Sequence, residues 1–164
     1  MHQLSSLSIY KLKFNQKVEK LIENKIMKIL FVCRGNVGRS TMAAALFTKY
    51  SGVEAFSAGT KVFENENQKI KEIPLAEPVI RFMKKEGIDV AENIRTQITP
   101  EMVKKFDKII VMAESETIPE YLSKSDKMEL WDIEDPKGMD DEGYEKIISQ
   151  IKSKLKQFIK KTCK

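Results

Sequence analysis

The feature that most constrains the fold is an apolar strand that runs directly into a cysteine, a short loop with glycines, and an arginine. Residues 28–32 (Lys-Ile-Leu-Phe-Val) form the apolar run of a buried strand, and Cys33 follows at once. Residues 42–47 (Met-Ala-Ala-Ala-Leu-Phe) are strong helix formers. This strand, loop and helix are predicted to place Cys33 at the carboxyl edge of a sheet, close to a helix N-terminus.

The loop between Cys33 and Arg39 has the residue types that can enclose a tetrahedral anion. Its backbone N–H groups can all point inward, and Gly and Asn best tolerate the positive φ angles of such a curl. A helix N-terminus and a guanidinium both favour the nucleophilic thiolate of Cys33. Arg39 can bind two phosphoryl oxygens with its planar fork, and Ser40 can hydrogen-bond the thiolate. The candidate phosphate-binding residues are Arg34, Gly35, Asn36, Val37, Gly38 and Ser40.

Two other interpretations of this segment are weaker. A single cysteine after a strand is usually a small buried hydrophobe, but that role requires none of the loop residues that follow Cys33. A nucleotide P-loop, G-x-x-x-x-G-K-[ST], has a glycine at the position of Cys33 and a lysine at that of Arg39. The spacing therefore favours a phosphatase in which Cys33 attacks phosphorus and forms a cysteinyl-phosphate.

Such a reaction needs a group that protonates the leaving oxygen, and a carboxylic acid is the best candidate. The single histidine, His2, lies in the N-terminal tail. Asp135 is our candidate because Pro136 pushes it toward extended backbone geometry, although this dipeptide in isolation is usually just a turn. Rival acids in the same stretch are Asp132, Glu134, Asp140, Asp141 and Glu142.

Residues 32–40 resemble the phosphate-binding loop of the low-molecular-weight protein tyrosine phosphatase family, which also contains thiol-dependent arsenate reductases. Further stretches that resemble this family are residues 57–60 (Ser-Ala-Gly-Thr), 77–89, 107–112 and 131–136. The resemblance implies that Asp135 is the general acid and base, and that Ser57 braces Asn36. It also implies that the substrate is a phosphorylated protein or small phosphomonoester, and that no metal or other cofactor takes part.

The chain departs from the family pattern at several positions. Gly38 stands where many members have a second cysteine, so we expect no protective disulfide with Cys33. Cys163 is expected to be a frayed surface residue, and a cysteine relay to arsenate needs two partners for the nucleophile. Asn93 and Ala113 fall where the family often has a histidine and an aspartate that support the loop. Arsenate reduction with external thiols and a non-catalytic phosphate-binding module remain the alternatives.

Substrate recognition around the loop is less well defined by the sequence. The segment after Asp135 lacks the tyrosines that stack on a substrate ring in some relatives, so we consider Phe63 as an aromatic wall or as local core. Val37 resembles tyrosine-directed relatives more than phosphoarginine phosphatases, which have a threonine there. Arg34 and Lys137 can contact an anionic substrate or simply be solvated.

The alternation of strands and helices predicts an α/β fold, a single-domain three-layer sandwich in which helices flank a four-stranded parallel sheet. The predicted strands are residues 28–32, 54–57, 107–112 and 128–131. The predicted helices are residues 40–50, 77–86, 100–105, 116–123 and 142–161. Ligands bind beyond the carboxyl ends of such strands, so the phosphatase loop after the first strand is expected to meet Ser57 and residues 131–135.

Length and composition fit one domain, because 164 residues with 41% hydrophobic content can bury a single core. The family resemblance implies that the catalytic domain is residues 27–164. Residues 1–26 are predicted to be an N-terminal extension, helical or disordered. Two unpaired cysteines and the lack of a long apolar stretch favour a cytoplasmic protein without membrane contact. The net charge is +5, but lysines are scattered among 24 acids, so no nucleic-acid partner is expected. We expect a monomer or weak homodimer.

Overall fold

The computed structural model describes residues 5–162, apart from the side chains of residues 19–25. His2 and Cys163 lie outside the described residues. The strands are β1 (Ile29–Cys33), β2 (Phe56–Gly59), β3 (Lys108–Val111) and β4 (Met128–Leu130). Within the described part of the chain, the α-helices are α1 (Ser6–Lys25), α2 (Arg39–Ser51), α3 (Glu77–Lys85), α4 (Pro100–Lys105), α5 (Glu120–Ser123) and α6 (Asp141–Thr162).

The strands form one parallel sheet in the order β2-β1-β3-β4, so β1 and β3 lie at its centre. Every residue of β1 is buried, as expected for a parallel strand that is covered on both faces. Ile29 and Phe31 pack with residues of α2, α3 and α6, whereas Leu30 and Val32 pack with residues of α4 and α5. The predicted three-layer α/β fold is therefore confirmed.

Helix α6 covers one face of the sheet with a single apolar stripe. The helical spacing of the sequence predicts this stripe as Ile147, Ile148, Ile151, Leu155, Phe158 and Ile159. The buried residues of α6 are Tyr144, Ile147, Ile148, Ile151, Leu155 and Phe158. The ring of Phe158 lies 6.0 Å from that of Phe47 in α2 and 6.1 Å from that of Trp131. The stripe belongs to the core, and it fixes α6 next to α2, the helix that follows the phosphatase loop.

The predicted helix over residues 116–123 is correct only for its last four residues, which form α5. A 3₁₀ turn, Ser115–Thr117, is followed by extended backbone at Ile118 and Pro119, and only then does α5 begin. The cause is local, because proline disfavours the α conformation in the residue before it and has no N–H to donate. Strand β2 also begins two residues later than predicted, at Phe56 rather than at residue 54.

Helix α1 precedes the α/β domain, and the side chains of residues 5–17 are exposed. Among the described residues, no helix combines the length and the apolar character needed to cross a membrane.

Candidate active site

A cavity of ≈ 460 Å³ lies at the carboxyl end of β1, where the loop of residues 34–38 leads into α2. From the predicted loop, Cys33, Arg34, Gly35, Val37, Gly38 and Arg39 line this cavity. The opposite wall and the mouth consist of Lys61, Ile73, Leu75, Val79, Arg95, Asp135, Pro136, Lys137 and Tyr144. The structure therefore brings together loop residues and an acid that lie about 100 positions apart in the sequence.

Cys33 is the last residue of β1 and is buried, with its Sγ 3.1 Å from the Oγ of Ser40. The same Ser40 Oγ accepts a hydrogen bond of 2.8 Å from Nδ2 of Asn36. Because Asn36 occupies an acceptor site of this hydroxyl, the hydroxyl proton is free to point at the sulfur. Ser40 can thus donate to a thiolate at Cys33 and hold it in position.

Asn36 ties the loop to its surroundings. It is fully buried, and Nδ2 also donates to the Oγ of Ser57 at 3.0 Å, the contact that the family resemblance implies. Its Oδ1 accepts from the backbone N–H of Thr96 at 2.8 Å. Asn36 has a φ of 53°, whereas neither Gly35 nor Gly38 has a positive φ. The loop therefore needs a left-handed residue only at Asn36.

The backbone of the loop provides unused hydrogen-bond donors. Within residues 5–162, the N–H groups of residues 35–38 donate to no protein atom. The first turn of α2 adds N–H groups that cannot have a partner inside the helix. Polar groups of this kind are seldom left unpaired in a folded protein, and N–H groups around a loop and a helix N-terminus are the typical ligands of a tetrahedral oxyanion.

Arg39 is buried at the start of α2, and its guanidinium is fixed by the rest of the fold. Its Nη1 donates to the carbonyl oxygens of Met112 and Ile133, which follow β3 and β4. Its Nη2 donates to Oε1 of Glu114 at 2.9 Å. These contacts leave Nε and one Nη2 proton for a bound anion. Arg39 is therefore pre-organised for two-point binding of a phosphoryl group.

Glu114 is a residue that the sequence analysis missed. Burial raises the pKa of its carboxyl, but its own backbone N–H and the Arg39 guanidinium lower it, and the net pKa lies below the usual range. Glu114 therefore stays ionised and holds Arg39 in place. Ala113, where the resemblance implies an aspartate, is buried, so the carboxylate beside Arg39 comes from the next residue. The sequence signal for Glu114 was an acid three positions after the end of β3, at the carboxyl edge of the sheet where the site lies.

Asp135 lies at the mouth of the cavity. Its Oδ1 accepts from the backbone N–H of Lys137 at 3.0 Å, and its Oδ2 lies 3.8 Å from Nη2 of Arg39. The side chain is 45% exposed, so it can exchange protons with water. Of the acids that the sequence leaves as rivals in residues 132–142, only Asp135 lines the cavity. The adjacent Pro136 is buried against the cavity wall.

Phe63 is not among the residues that line the cavity. It lies in a turn after β2, 57% exposed, with its N–H bonded to the side chain of Gln97. The aromatic residue of the cavity is Tyr144, from the first turns of α6, which the sequence analysis assigned to no site. Burial raises the pKa of the Tyr144 phenol, and the negative charge of Asp135 raises it further, so the phenol stays protonated.

A second cavity, ≈ 370 Å³, lies at the opposite edge of the sheet, between the start of β3 and the last turns of α6. None of the predicted site residues lines it. Within the described residues, no group of three or more His, Cys, Asp or Glu side chains is placed to hold a metal ion.

Comparison with known proteins agrees with this geometry. Residues 28–164 match the family model for low molecular weight phosphotyrosine protein phosphatase. A probable low molecular weight protein-tyrosine-phosphatase, EpsP of Ralstonia solanacearum, is 33% identical over 68% of this chain and 79% of its own. An arsenate reductase of Brevibacillus brevis is 28% identical over 84% of this chain and 96% of its own.

Among solved structures, the low molecular weight protein tyrosine phosphatase from T. tengcongensis superposes with a TM-score of 0.68 and 31% identity. The superposition covers 82% of this chain and 99% of that one. The chain therefore belongs to the low molecular weight phosphotyrosine protein phosphatase family, and it is a cysteine-dependent phosphatase.

Proposed function

We propose that the protein hydrolyses phosphotyrosine in proteins, with Cys33 as nucleophile, Arg39 as phosphate ligand and Asp135 as general acid and base. The observation that carries this proposal is the cavity that contains all three side chains. Unpaired N–H donors of residues 35–38 form one wall, and a fixed guanidinium lies beside them. This combination matches a phosphoryl group in charge, shape and hydrogen-bonding capacity.

In the first step, the phosphoryl oxygens accept hydrogen bonds from the loop N–H groups and from Arg39. The Cys33 thiolate attacks phosphorus, the bond from phosphorus to the phenol oxygen breaks, and Asp135 gives its proton to the departing phenolate. In the second step, Asp135 takes a proton from water as the water oxygen attacks phosphorus. The thiolate leaves, and inorganic phosphate is released. Ser40 stabilises the thiolate in both steps through its hydroxyl proton.

The preference for tyrosine is supported by the apolar walls of the cavity. Ile73, Leu75, Val79 and Tyr144 line the space above the loop, where the ring of a phosphotyrosine would lie. Such walls suit a phenyl ring better than the short side chain of phosphoserine or the polar guanidine of phosphoarginine. The names of the relatives EpsP and the T. tengcongensis enzyme point the same way.

The proposal also covers the setting in which the enzyme acts. A nucleophilic thiolate requires a reducing compartment, so we place the protein in the cytoplasm, acting as a monomer or weak homodimer without a metal or nucleic acid. The mixture of 29 basic and 24 acidic residues supports a protein substrate rather than a polyanion partner.

A direct test compares three peptides of one sequence that carry phosphotyrosine, phosphoserine or phosphoarginine. We expect the wild type to release phosphate from the phosphotyrosine peptide with the highest kcat/KM. The Cys33→Ser variant is expected to lose turnover while it retains affinity for phosphate. Comparable cleavage of all three peptides would contradict the tyrosine preference, and a fully active Cys33→Ser variant would contradict the mechanism.

Arsenate reduction is the second candidate, because an arsenate reductase matches most of this chain and arsenate has the shape of phosphate. Cys33 is the only cysteine among the described residues, and the whole sequence has two. A relay through two further cysteines is therefore impossible within one chain. We expect no arsenate-dependent oxidation of NADPH in an assay coupled to thioredoxin and its reductase. Turnover with thioredoxin or an added small thiol would support this alternative.

A further inference from the structure

Besides Arg39, the cavity contains a cluster of cationic side chains that the proposed mechanism does not use. The side chains of Arg34, Lys61, Arg95 and Lys137 line it, whereas Asp135 is the only acid among the described residues that does so. Among the residues that the structure describes, none of these four cations forms an ion pair. The rim therefore carries an excess of positive charge beyond what one phosphoryl group needs.

Arg95 is the member of this group that the fold holds in place. Its Nε donates to the carbonyl oxygen of Gly35 in the phosphate-binding loop at 2.9 Å, and its Nη1 donates to Oε1 of Gln68 at 2.9 Å. The backbone of Arg95 is also bonded on both sides, to Gln68 and to Asn67. A long side chain that is fixed by two hydrogen bonds has little rotamer entropy left to lose when it binds a ligand.

One donor group of Arg95 remains available. Within residues 5–162, Nη2 has no hydrogen-bond partner, and it lies 3.5 Å from the position of a Cβ at Gly35. The charges of Cys33 and Glu64 both act on Arg95, and Glu64 forms no ion pair with it. Arg95 contacts the loop through the carbonyl of Gly35, whereas Arg39 lies at the helix end of the loop. Two fixed guanidinium groups, those of Arg39 and Arg95, thus line one cavity at this loop.

Lys61 and Arg34 extend the charge next to Arg95. The backbone N–H of Lys61 donates to the carbonyl oxygen of Arg34 at 2.9 Å, so the two side chains start from adjoining backbone. Both side chains are exposed. They can move toward an anion that Arg95 already contacts.

We propose that Arg95, together with Lys61 and Arg34, forms a subsite for a second anionic group of the substrate, the carboxylate of an acidic residue next to the phosphotyrosine. This inference rests on the proposed function. The phosphoryl group takes the loop N–H groups and Arg39, and the neighbouring carboxylate accepts from Nη2 of Arg95. The protein thereby selects phosphotyrosine in an acidic sequence context.

The test uses phosphotyrosine peptides that differ only in one neighbour of the phosphotyrosine, which is Glu, Gln or Lys. For the wild type we expect kcat/KM to be roughly three- to tenfold higher with Glu than with Gln, and lowest with Lys. The Arg95→Gln and Lys61→Gln variants should each reduce the ratio of Glu to Gln, with Arg95→Gln bringing it close to one. Arg95→Lys should retain part of the preference.

The control variant is Lys84→Gln, which removes an exposed cation of α3 that does not line the cavity. It should keep the wild-type ratio. The ratio of kcat/KM for the Glu and Gln peptides is measured within one variant. A general loss of activity caused by the missing contact between Arg95 and Gly35 therefore affects both peptides equally and does not change the ratio. If the Glu-to-Gln ratio of kcat/KM were near one in the wild type, or unchanged in Arg95→Gln, the subsite would be overturned. Cys33-dependent cleavage of the Gln peptide would still uphold the proposed function. If the wild type cleaves none of the peptides, both are overturned.

Discussion

At the scale of single residues, the site depends on a short chain of hydrogen bonds that starts at Cys33, the proposed nucleophile. Cys33 contacts Ser40, Ser40 accepts from Asn36, and Asn36 donates to Ser57 in β2. Because Asn36 is bonded through both amide atoms, its orientation is determined, and the direction of the Ser40 hydroxyl follows from it. Cys33 is thus positioned in part by β2, the strand that pairs with β1.

The role of Asp135 predicts a dependence on the leaving group. In Asp135→Asn the proton donor is lost, so we expect kcat/KM for phenyl phosphate to fall by roughly a hundred- to ten-thousand-fold. With p-nitrophenyl phosphate the loss should be much smaller, because p-nitrophenolate leaves readily without a proton. Steady-state kinetics with both substrates measures the difference.

Asp132→Asn is the matched control, since Asp132 is an exposed acid of the same segment that does not line the cavity. It should behave like the wild type with both substrates. If Asp135→Asn lowered kcat/KM equally for phenyl phosphate and p-nitrophenyl phosphate, Asp135 would not be the general acid.

Gly59, at the end of β2, lies so close to the loop that we expect a larger side chain there to displace it. A Cβ at this position would lie 2.7 Å from the carbonyl oxygen of Arg34 and 2.9 Å from the backbone nitrogen of Asn36. Both are backbone atoms of the phosphate-binding loop, so Gly59→Ala must displace the loop. We expect kcat/KM to fall by about tenfold or more, since a shift of about 1 Å in a catalytic group can cost about a hundredfold.

Gly52→Ala separates this effect from a general loss of stability. Gly52 ends α2 with a φ of 73° and has open space around it, so alanine there should destabilise the fold by about 1 kcal/mol and leave kcat/KM unchanged. Wild-type kinetics in a folded Gly59→Ala variant would show that the close approach of β2 does not shape the loop.

At the scale of elements, three helices meet at Glu86, which follows the last residue of α3. Its carboxylate pairs with Lys152 of α6 and, at 3.4 Å, with Nζ of Lys49 in α2. The hydrogen bond from Lys152 lowers the pKa of Glu86 most, the charges of both lysines add to this, and partial burial opposes them. The carboxylate links the helix that starts at the loop to the two helices that pack beside it.

Glu86 therefore predicts an acid-dependent stability. Its pKa is lowered in the folded state, so its contribution is present above the unfolded-state pKa of about 4.3 and is lost as the pH falls through the lower folded-state value. We expect Glu86→Gln to unfold at a lower urea concentration than the wild type at about pH 7, by about 1 kcal/mol in unfolding free energy. The difference between the two proteins should shrink as the pH falls below about 4.3.

Glu145→Gln is the control for this measurement, because Glu145 is an exposed acid of α6 without an ion pair among the described residues. Its unfolding free energy should match that of the wild type at both pH values. A difference between Glu86→Gln and the wild type that stays constant down to about pH 3 would contradict the assignment to an ionised carboxylate.

At the scale of the whole molecule, the sequence predicts best what local patterns determine. Strand β1, helix α2 and helix α6 follow from an apolar run, from helix formers and from a regular stripe. The proline at residue 119 breaks a predicted helix because its local effect outweighs the pattern around it. The sequence analysis predicts a four-stranded parallel sheet but not its strand order, because strand pairing depends on contacts between distant segments.

The parts of the site that the sequence did not predict depend on contacts between distant segments. Tyr144 and Arg95 reach the cavity, and Glu114 reaches Arg39, only because α6, the segment before α4 and the end of β3 converge there. Nothing in the immediate neighbours of Arg95 and Tyr144 distinguishes them from an exposed charge or a core aromatic, whereas the position of Glu114 after β3 was a usable signal. Phe63 is the converse case, since its position after a site motif suggested a wall and the turn directs it elsewhere.

The most direct test of the account is to identify the phosphorylated residue during turnover. Asp135→Asn, mixed with p-nitrophenyl phosphate and quenched rapidly, should accumulate an intermediate because the water that hydrolyses it lacks a base. We predict a mass increase of one phosphoryl group on the peptide that contains Cys33, appearing before free phosphate, and none in a Cys33→Ala protein. Release of p-nitrophenol and phosphate together, with no phosphoryl group on Cys33, would contradict the account.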